Sequence, residues 1–178
     1  MVRDFIRGYY EYKYPKAGQK NSKVSVHSYS VVTKDTKEMK VPVEGDFYIP
    51  RITFTQNPDQ LAIMTLNRQQ NVFNMYYANP KSGVFRLILR EENKCYVDSD
   101  WLTSIQFLNN GFTYVSEQDG YSHIYLYSPT GVMQRQVTQG NWDVTAFQVW
   151  MRIRRLSITS LPRKARSAVL SIRSTRKA

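Results

Sequence analysis

The 178-residue sequence predicts an all-β fold, and three observations support this prediction. Tyrosine is unusually frequent, with 13 residues, and β-branched and aromatic residues dominate the chain. Gly, Pro, Asn and Asp recur at short intervals between the apolar runs, as they do at turns between short strands. Two blocks of four short apolar runs also resemble each other along the chain, which indicates an internal repeat.

The predicted strands follow in order from these patterns. Residues 23–32 alternate with period two, and residues 38–43 return as an antiparallel partner after a turn at Lys34 to Thr36. The first block of four strands is predicted at 49–55, 60–67, 72–78 and 84–90. The second block is predicted at 102–108, 112–117, 123–127 and 132–138.

The two blocks correspond in detail. Ile52-Thr53-Phe54 matches Ile105-Gln106-Phe107 at a spacing of 53 residues, and Met75-Tyr76-Tyr77 matches Tyr125-Leu126-Tyr127 at 50. Four-stranded units that repeat about every 40–50 residues are typical of β-propeller blades, although a plain antiparallel meander is the alternative. We therefore predict a partial β-propeller of about two and a half four-stranded antiparallel blades. Closed propellers have about four to eight blades, so we expect a piece of a larger protein.

The charge of the chain is concentrated at its C-terminal end. Residues 151–178 carry nine of the 25 basic residues and neither Asp nor Glu, which leaves 16 basic and 14 acidic residues in 1–150. The body is thus nearly neutral and has no basic face that would predict nucleic-acid binding. The alternative is that the basic tail is an arm that binds nucleic acid or an acidic membrane surface.

Other residue types exclude further classes of site. The single cysteine, Cys95, excludes an internal disulfide and a cysteine-cluster zinc site, and we interpret it as a buried strand-end residue. His27 and His123 lack metal-ligand spacing, so no metal or cofactor is predicted, and His123 is interpreted as a packing or turn-bonding residue. No apolar run approaches the ~18 residues of a membrane span, and the first residues do not resemble a secretory signal, so the compartment stays unknown.

Three segments carry a family resemblance: residues 12–21 (YKYPKAGQKN), Tyr48 to Thr55 and Val115 to Tyr127. Together they resemble the N-terminal β-propeller of the dipeptidyl peptidase IV family, particularly its bacterial members, which are serine peptidases of the prolyl oligopeptidase clan. The resemblance covers about Tyr9 to Phe147. We accordingly assign residues 1–147 to a fragment of that propeller and residues 148–178 to an irregular basic tail.

The resemblance implies an exopeptidase that removes dipeptides from peptide N-termini, usually after Pro or Ala. In this family a C-terminal α/β-hydrolase domain carries the Ser, His and Asp, and the propeller restricts access to it. Relatives are often homodimers and are exported or membrane-anchored. The sequence contains no Gly-x-Ser-x-Gly, and the family's paired glutamates precede the Tyr14-Pro15 segment, so we expect this chain alone to be inactive. The alternative class is a non-catalytic β-propeller interaction module.

The candidate substrate contacts also come from the resemblance. The loop from Tyr96 to Trp101 lies where the family's propeller approaches the substrate pocket, which implies that Tyr96 and Trp101 contact substrate. An aromatic residue in such a loop is more often a packing residue. Glu91-Glu92 is a second candidate for the paired glutamates. Because it follows the Tyr14-Pro15 segment, which the family's pair precedes, we interpret it as a solvated turn.

The composition changes abruptly after Phe147, because residues 151–178 contain no Gly, Asp, Glu or Tyr. Suitable codons for residues 150–162, read two bases later, encode an acidic turn and an aromatic strand of the kind that the family has here. We therefore consider a frameshift near Gln148 to Trp150, which the native DNA sequence would decide.

Overall fold

The computed structural model describes residues 18–155, 157–159 and 168–175, with side chains described to Phe147. The strands of its first part are Val26–Tyr29 (β1), Thr36–Met39 (β2), Phe47–Phe54 (β3), Leu61–Asn67 (β4), Val72–Ala78 (β5) and Phe85–Glu92 (β6). They are followed by Gln106–Leu108 (β7), Gly111–Ser116 (β8), His123–Tyr127 (β9), Met133–Gln136 (β10), Val144–Arg155 (β11), Ser157–Thr159 (β12) and Ala168–Thr175 (β13). The described residues contain one 3-10 helix, Ser99–Thr103, and no helix long and apolar enough to cross a membrane.

The strands form the predicted blades. β3, β4, β5 and β6 make one antiparallel sheet in sequence order, and β7, β8, β9 and β10 make a second of the same kind. β1 and β2 form an antiparallel pair that precedes them. The prediction of an all-β, partial propeller with two blades and a half-blade is confirmed.

Several strand boundaries differ from the prediction, and the shortening of the strands predicted at 23–32 and 102–108 has local reasons. The first strand ends at Tyr29 because the Ser30 N–H bonds the Asp35 carbonyl at 2.9 Å and closes a turn. The first strand of the second blade begins only at Gln106 because the residues before it form the 3-10 helix. In both places the apolar alternation predicted a longer strand. Polar residues there form a turn or a 3-10 helix instead.

The first full blade is covered on both faces. Alternate residues of β4, among them Ala62, Met64 and Leu66, pack toward the second blade, while Leu61 and Ile63 pack against Val26 and Met39 of the half-blade. Side chains alternate across a strand, so a strand buried on both faces has a nearly continuous apolar run. This arrangement explains why nearly all residues of β4 and β5 are buried.

Aromatic rings fill the interface between the two blades. Phe73 of β5 stacks on Tyr114 of β8 with ring centroids 5.6 Å apart, and Phe112 stacks on Tyr127 at 5.2 Å. Such pairs add directional stabilisation to the apolar area that they bury. At one end of this interface the β9–β10 turn approaches β6, where a Cβ on Gly131 would lie 1.9 Å from the Ile88 carbonyl oxygen.

The C-terminal region is partly strand rather than irregular. β13 lies between β11, to which it is parallel, and β12, to which it is antiparallel. These strands contain the β-branched residues Ile153, Ile158, Val169 and Ile172, which favour extended backbone over an irregular tail. Leu156 and residues 160–167 and 176–178 of the predicted tail lie outside the described residues. The frameshift and the nucleic-acid arm stay predictions.

Candidate functional site

The loop that joins the two blades, residues 93–105, is fixed at both ends. The Asn93 N–H bonds the Asn71 carbonyl at 2.9 Å, and the Val97 N–H bonds the Gln70 carbonyl at 2.7 Å. Asp98 then caps the 3-10 helix by accepting the Asp100 N–H at 2.9 Å. Val97 and the residues at 102 and 105 are buried in the interblade core. The loop is therefore a rigid platform for its remaining side chains.

The two candidate contacts take different positions on this platform. Tyr96 is 62% exposed, so its ring is available to a ligand. Trp101 is half-buried and packs against the far face of the second blade, formed by Val115, Ile124, Val144 and Phe147. The packing role considered for such aromatic residues therefore applies to Trp101, which nevertheless also lines an open cleft.

This cleft has a volume of about 660 Å³ and lies between the loop and the start of β11. Trp101 and Phe147 supply apolar surface, and the acidic residues on its wall are Asp98, Asp100, Glu117 and Asp143. No lysine, arginine or histidine is among its described lining residues. Its surface therefore suits a cationic or ammonium-bearing group with an apolar neighbour.

Internal hydrogen bonds organise the acidic wall around Ser122. The Ser122 hydroxyl donates to the Glu117 carboxylate at 3.0 Å, and the Ser122 N–H donates to the Asp143 carboxylate at 2.8 Å. The Val144 N–H bonds the Ser122 carbonyl at 2.8 Å. One residue thus fixes two carboxylates and the first residue of β11. The sequence reasoning missed these acids, although Glu117 and Ser122 belong to the segment Val115 to Tyr127 that carried the resemblance.

Glu91 lies behind the loop, and the structure corrects its interpretation as part of a solvated turn. It is a residue of β6, it is half-buried, and its carboxylate accepts a hydrogen bond from the Ser116 hydroxyl of β8 at 3.0 Å. Glu92, in contrast, is exposed and pairs with Arg90. The turn prediction failed because β6 continues to Glu92, where alternation directs consecutive glutamates to opposite faces.

The environment of Glu91 disfavours its charge. Burial raises the pKa of its carboxyl, and the nearby Glu117 carboxylate raises it further, while hydrogen bonds from Tyr114 and Ser116 lower it in part. The pKa of the Tyr114 hydroxyl is likewise raised, by burial and by the charge of the neighbouring Glu91 carboxylate. Perturbed groups of this kind are often found beside functional sites.

The structure resolves the roles of two other residues considered from the sequence. His123 is fully buried, and its two ring nitrogens lie 3.1 Å from Thr138 Oγ1 and 2.9 Å from the Gly140 carbonyl oxygen. Its interpretation as a packing and turn-bonding residue is confirmed. The interpretation of Cys95 as buried is wrong, because it lies beyond β6 in the exposed loop, where the Asn93 side chain accepts its N–H at 3.1 Å.

One hydroxyl and imidazole pair lies far from the loop. Ser25 Oγ is 3.0 Å from His27 Nε2 on the exposed half-blade. Among the described residues no carboxylate lies within ion-pair distance of His27, so this pair lacks the third group that orients a catalytic histidine. The part of the chain that the structure describes also brings no three His, Cys, Asp or Glu residues together as metal ligands.

Comparison with known proteins identifies the family. The family model described as "Dipeptidyl peptidase IV (DPP IV) N-terminal region" matches residues 6–157, which is most of the chain. The chain belongs to this family. The match extends ten residues beyond Phe147, the end of the resemblance read from the sequence.

Individual members of the family agree with this assignment. Dipeptidyl peptidase 4 of Arthroderma otae is 29% identical over 149 residues and is matched by 76% of this chain. Dipeptidyl-aminopeptidase B of Aspergillus niger is 25% identical over 149 residues, with 75% of this chain covered. The crystal structure of Porphyromonas gingivalis dipeptidyl peptidase 4 aligns with a TM-score of 0.74 and 60% identity over 76% of this chain. The resemblance to bacterial members is thereby confirmed.

The matched part of each relative is small. The chain spans 18% of the Arthroderma otae protein, 16% of the Aspergillus niger protein and 20% of the Porphyromonas gingivalis structure. It therefore corresponds to about a fifth or less of their length, within the N-terminal region that the family model describes.

Proposed function

We propose that this chain is part of the substrate-gating propeller of a serine exopeptidase that removes N-terminal dipeptides after Pro or Ala. The observation that carries the proposal is the match of residues 6–157 to the N-terminal region, together with 60% identity to a solved dipeptidyl peptidase 4. In this proposal residues 1–147 belong to the propeller. Its partners are an α/β-hydrolase domain, which supplies the catalytic Ser, His and Asp, and peptide substrates.

The loop between the blades supports a role in peptide binding. It is anchored at Asn93 and Val97, and it presents Tyr96 to solvent and Trp101 to the acidic cleft. A peptide with a free N-terminus carries an ammonium group that suits carboxylates, and a proline ring suits an aromatic surface. We propose that Tyr96 and Trp101 contact the peptide in this arrangement.

Replacing Tyr96 by Ala is expected to weaken binding of a Gly-Pro-initiated pentapeptide by roughly fivefold to thirtyfold, because truncating an aromatic contact typically costs about 1–2 kcal/mol. The measurement is isothermal titration calorimetry of the full chain with this peptide and with its N-acetylated form. The acetylated peptide should bind more weakly because it lacks the ammonium group.

Tyr29→Ala is the matched control, since Tyr29 is similarly exposed, at 60%, but belongs to β1 of the half-blade and not to the loop between the blades. Its affinity should equal that of the wild type. Equal effects of the two substitutions, or no preference for the free N-terminus, would contradict the binding role. The purified chain should also release no chromophore from a Gly-Pro-anilide, and release that survives a contaminant control would contradict the assignment of catalysis to a separate domain.

A further inference from the structure

Both blades and the loop meet at a small cavity beside the cleft. Glu91 of β6, Tyr114 of β8 and Glu117 after β8 line it, and Asp98 and Trp101 of the loop complete it. Its volume of about 10 Å³ corresponds to the space of a single water molecule. A change in the charge or hydration of any one of these groups therefore acts directly on the others.

Glu91 lacks a basic partner at this position. Among residues 18–147 no lysine, arginine or histidine lies within ion-pair distance of it, whereas the adjacent Glu92 pairs with Arg90. Its carboxylate accepts a hydrogen bond from the Ser116 hydroxyl across the blade interface at 3.0 Å. A half-buried carboxylate with hydroxyl partners and no cation is costly when ionised.

Ionisation of Glu91 can affect Trp101, because both side chains line the small cavity. Trp101 lines both the small cavity and the open cleft, as Asp98 and Glu117 also do, so its ring lies at the boundary between the two. Its Nε1 is buried and has no hydrogen-bond partner among the described residues. With no bond to hold the indole nitrogen, the position of the ring depends on packing and on the groups around the cavity.

We propose that Glu91 is a positioning residue that sets the position of Trp101 according to its own protonation. The neutral carboxyl fits the apolar side of the cavity, whereas the hydrogen bond from Ser116 is present in both states and is stronger to the carboxylate. The ionised carboxylate is repelled by Glu117 and requires hydration in the cavity, which displaces the indole toward the cleft. This inference rests on the proposed function only in taking Trp101 as a peptide contact.

No group that faces Glu91 would neutralise its ionised carboxylate, so the position of Trp101 stays dependent on the protonation of Glu91. Those that face Glu91 are Ser116, Tyr114 and Glu117 from β8 and its end, Tyr125 and Tyr127 from β9, and Asn93 and Asp98 from the loop. None of them is cationic. On the strand of Glu91 itself, Arg90 is occupied by Glu92.

The direction of the effect follows from proton binding. The folded protein binds the Glu91 proton more tightly than the unfolded chain, because the pKa of this carboxyl is raised from its ordinary value of 4.5. The stability that Glu91 contributes is therefore complete below this ordinary value and is lost as the pH rises through the raised pKa. The displacement of Trp101 should occur over the same interval.

The test is a tryptophan fluorescence titration of the full chain from pH 4 to pH 8, with far-ultraviolet circular dichroism to show that the fold persists. We expect an emission transition with a midpoint above 4.5, the ordinary value for glutamate. Glu91→Gln keeps an acceptor for Ser116 and should abolish the transition. Glu92→Gln, the matched control, should retain it. Trp101→Phe should remove it, which identifies the reporting indole.

Ser116→Ala gives a second measurement that does not depend on losing the signal. Removing this hydroxyl takes away an interaction that lowers the Glu91 pKa, so the midpoint should move to higher pH. A transition that persists in Glu91→Gln, a wild type without a transition, or an unshifted Ser116→Ala midpoint would each overturn the proposal. The titration contains no peptide, so its failure is distinguishable from a failure of the peptide-binding experiment.

Discussion

Replacing Phe73 by Ala is expected to lower the free energy of unfolding by about 3–5 kcal/mol, a large part of the stability of a typical domain. Phe73 is fully buried and stacks on Tyr114 across the blade interface with ring centroids 5.6 Å apart. The substitution removes apolar contact with both blades and leaves a cavity that the paired strands β4 and β5 cannot close without breaking their register. Urea denaturation followed by circular dichroism measures the loss.

The matched control is Phe54→Ala in the same blade. Phe54 lies at the end of β3 and is 69% exposed, so its truncation should change the free energy of unfolding by about 0.5 kcal/mol or less. Similar losses for the two variants would show that the interface between the blades is not the principal core of the chain.

Replacing Gly131 by Ala is expected to lower the free energy of unfolding by about 2–4 kcal/mol, since backbone strain and steric overlap act together. Gly131 has φ of 89°, which L side chains rarely adopt, and an added Cβ would lie 1.9 Å from the Ile88 carbonyl oxygen. Because the obstacle is backbone of β6, relief requires the β9–β10 turn to move away from the first full blade. The same denaturation experiment measures this effect.

Gly120→Ala separates the two contributions. Gly120 has φ of 95° in the β8–β9 turn, but a Cβ there would meet nothing within 4 Å. Its substitution should therefore cost only about 1 kcal/mol, the price of the unfavourable dihedral alone. If both variants lose the same stability, the close approach of Gly131 to Ile88 contributes nothing.

The blades could be predicted because local patterns specify them. The nearly continuous apolar runs of β4 and β5 and the glycine-containing turns at Gly120 and Gly131 have few alternatives once a four-stranded unit is recognised. Phe112, Tyr125 and Tyr127 were likewise within predicted strands, although the sequence does not show which rings meet across the interface.

The candidate site was less predictable because it depends on contacts between distant segments. Asn93 and Val97 are held by the turn between β4 and β5, and no periodicity reports such bonds. The partner of Glu91 is 25 residues away, so its burial is invisible to local reasoning, which placed it in a turn. Tyr96 and Trp101 were selected by resemblance, and their roles as substrate contacts stay a proposal.

The double coverage of the first full blade has a consequence for how the chain opens. β4 and β5 each pair with a strand on both sides within their sheet. Their side chains are buried by the second blade on one face and by the half-blade on the other. Peeling off the half-blade, or separating the second blade, exposes only one of those faces. We therefore expect hydrogen exchange at these amides to require global rather than local unfolding, which would make β4 and β5 the slowest-exchanging unit of the described chain.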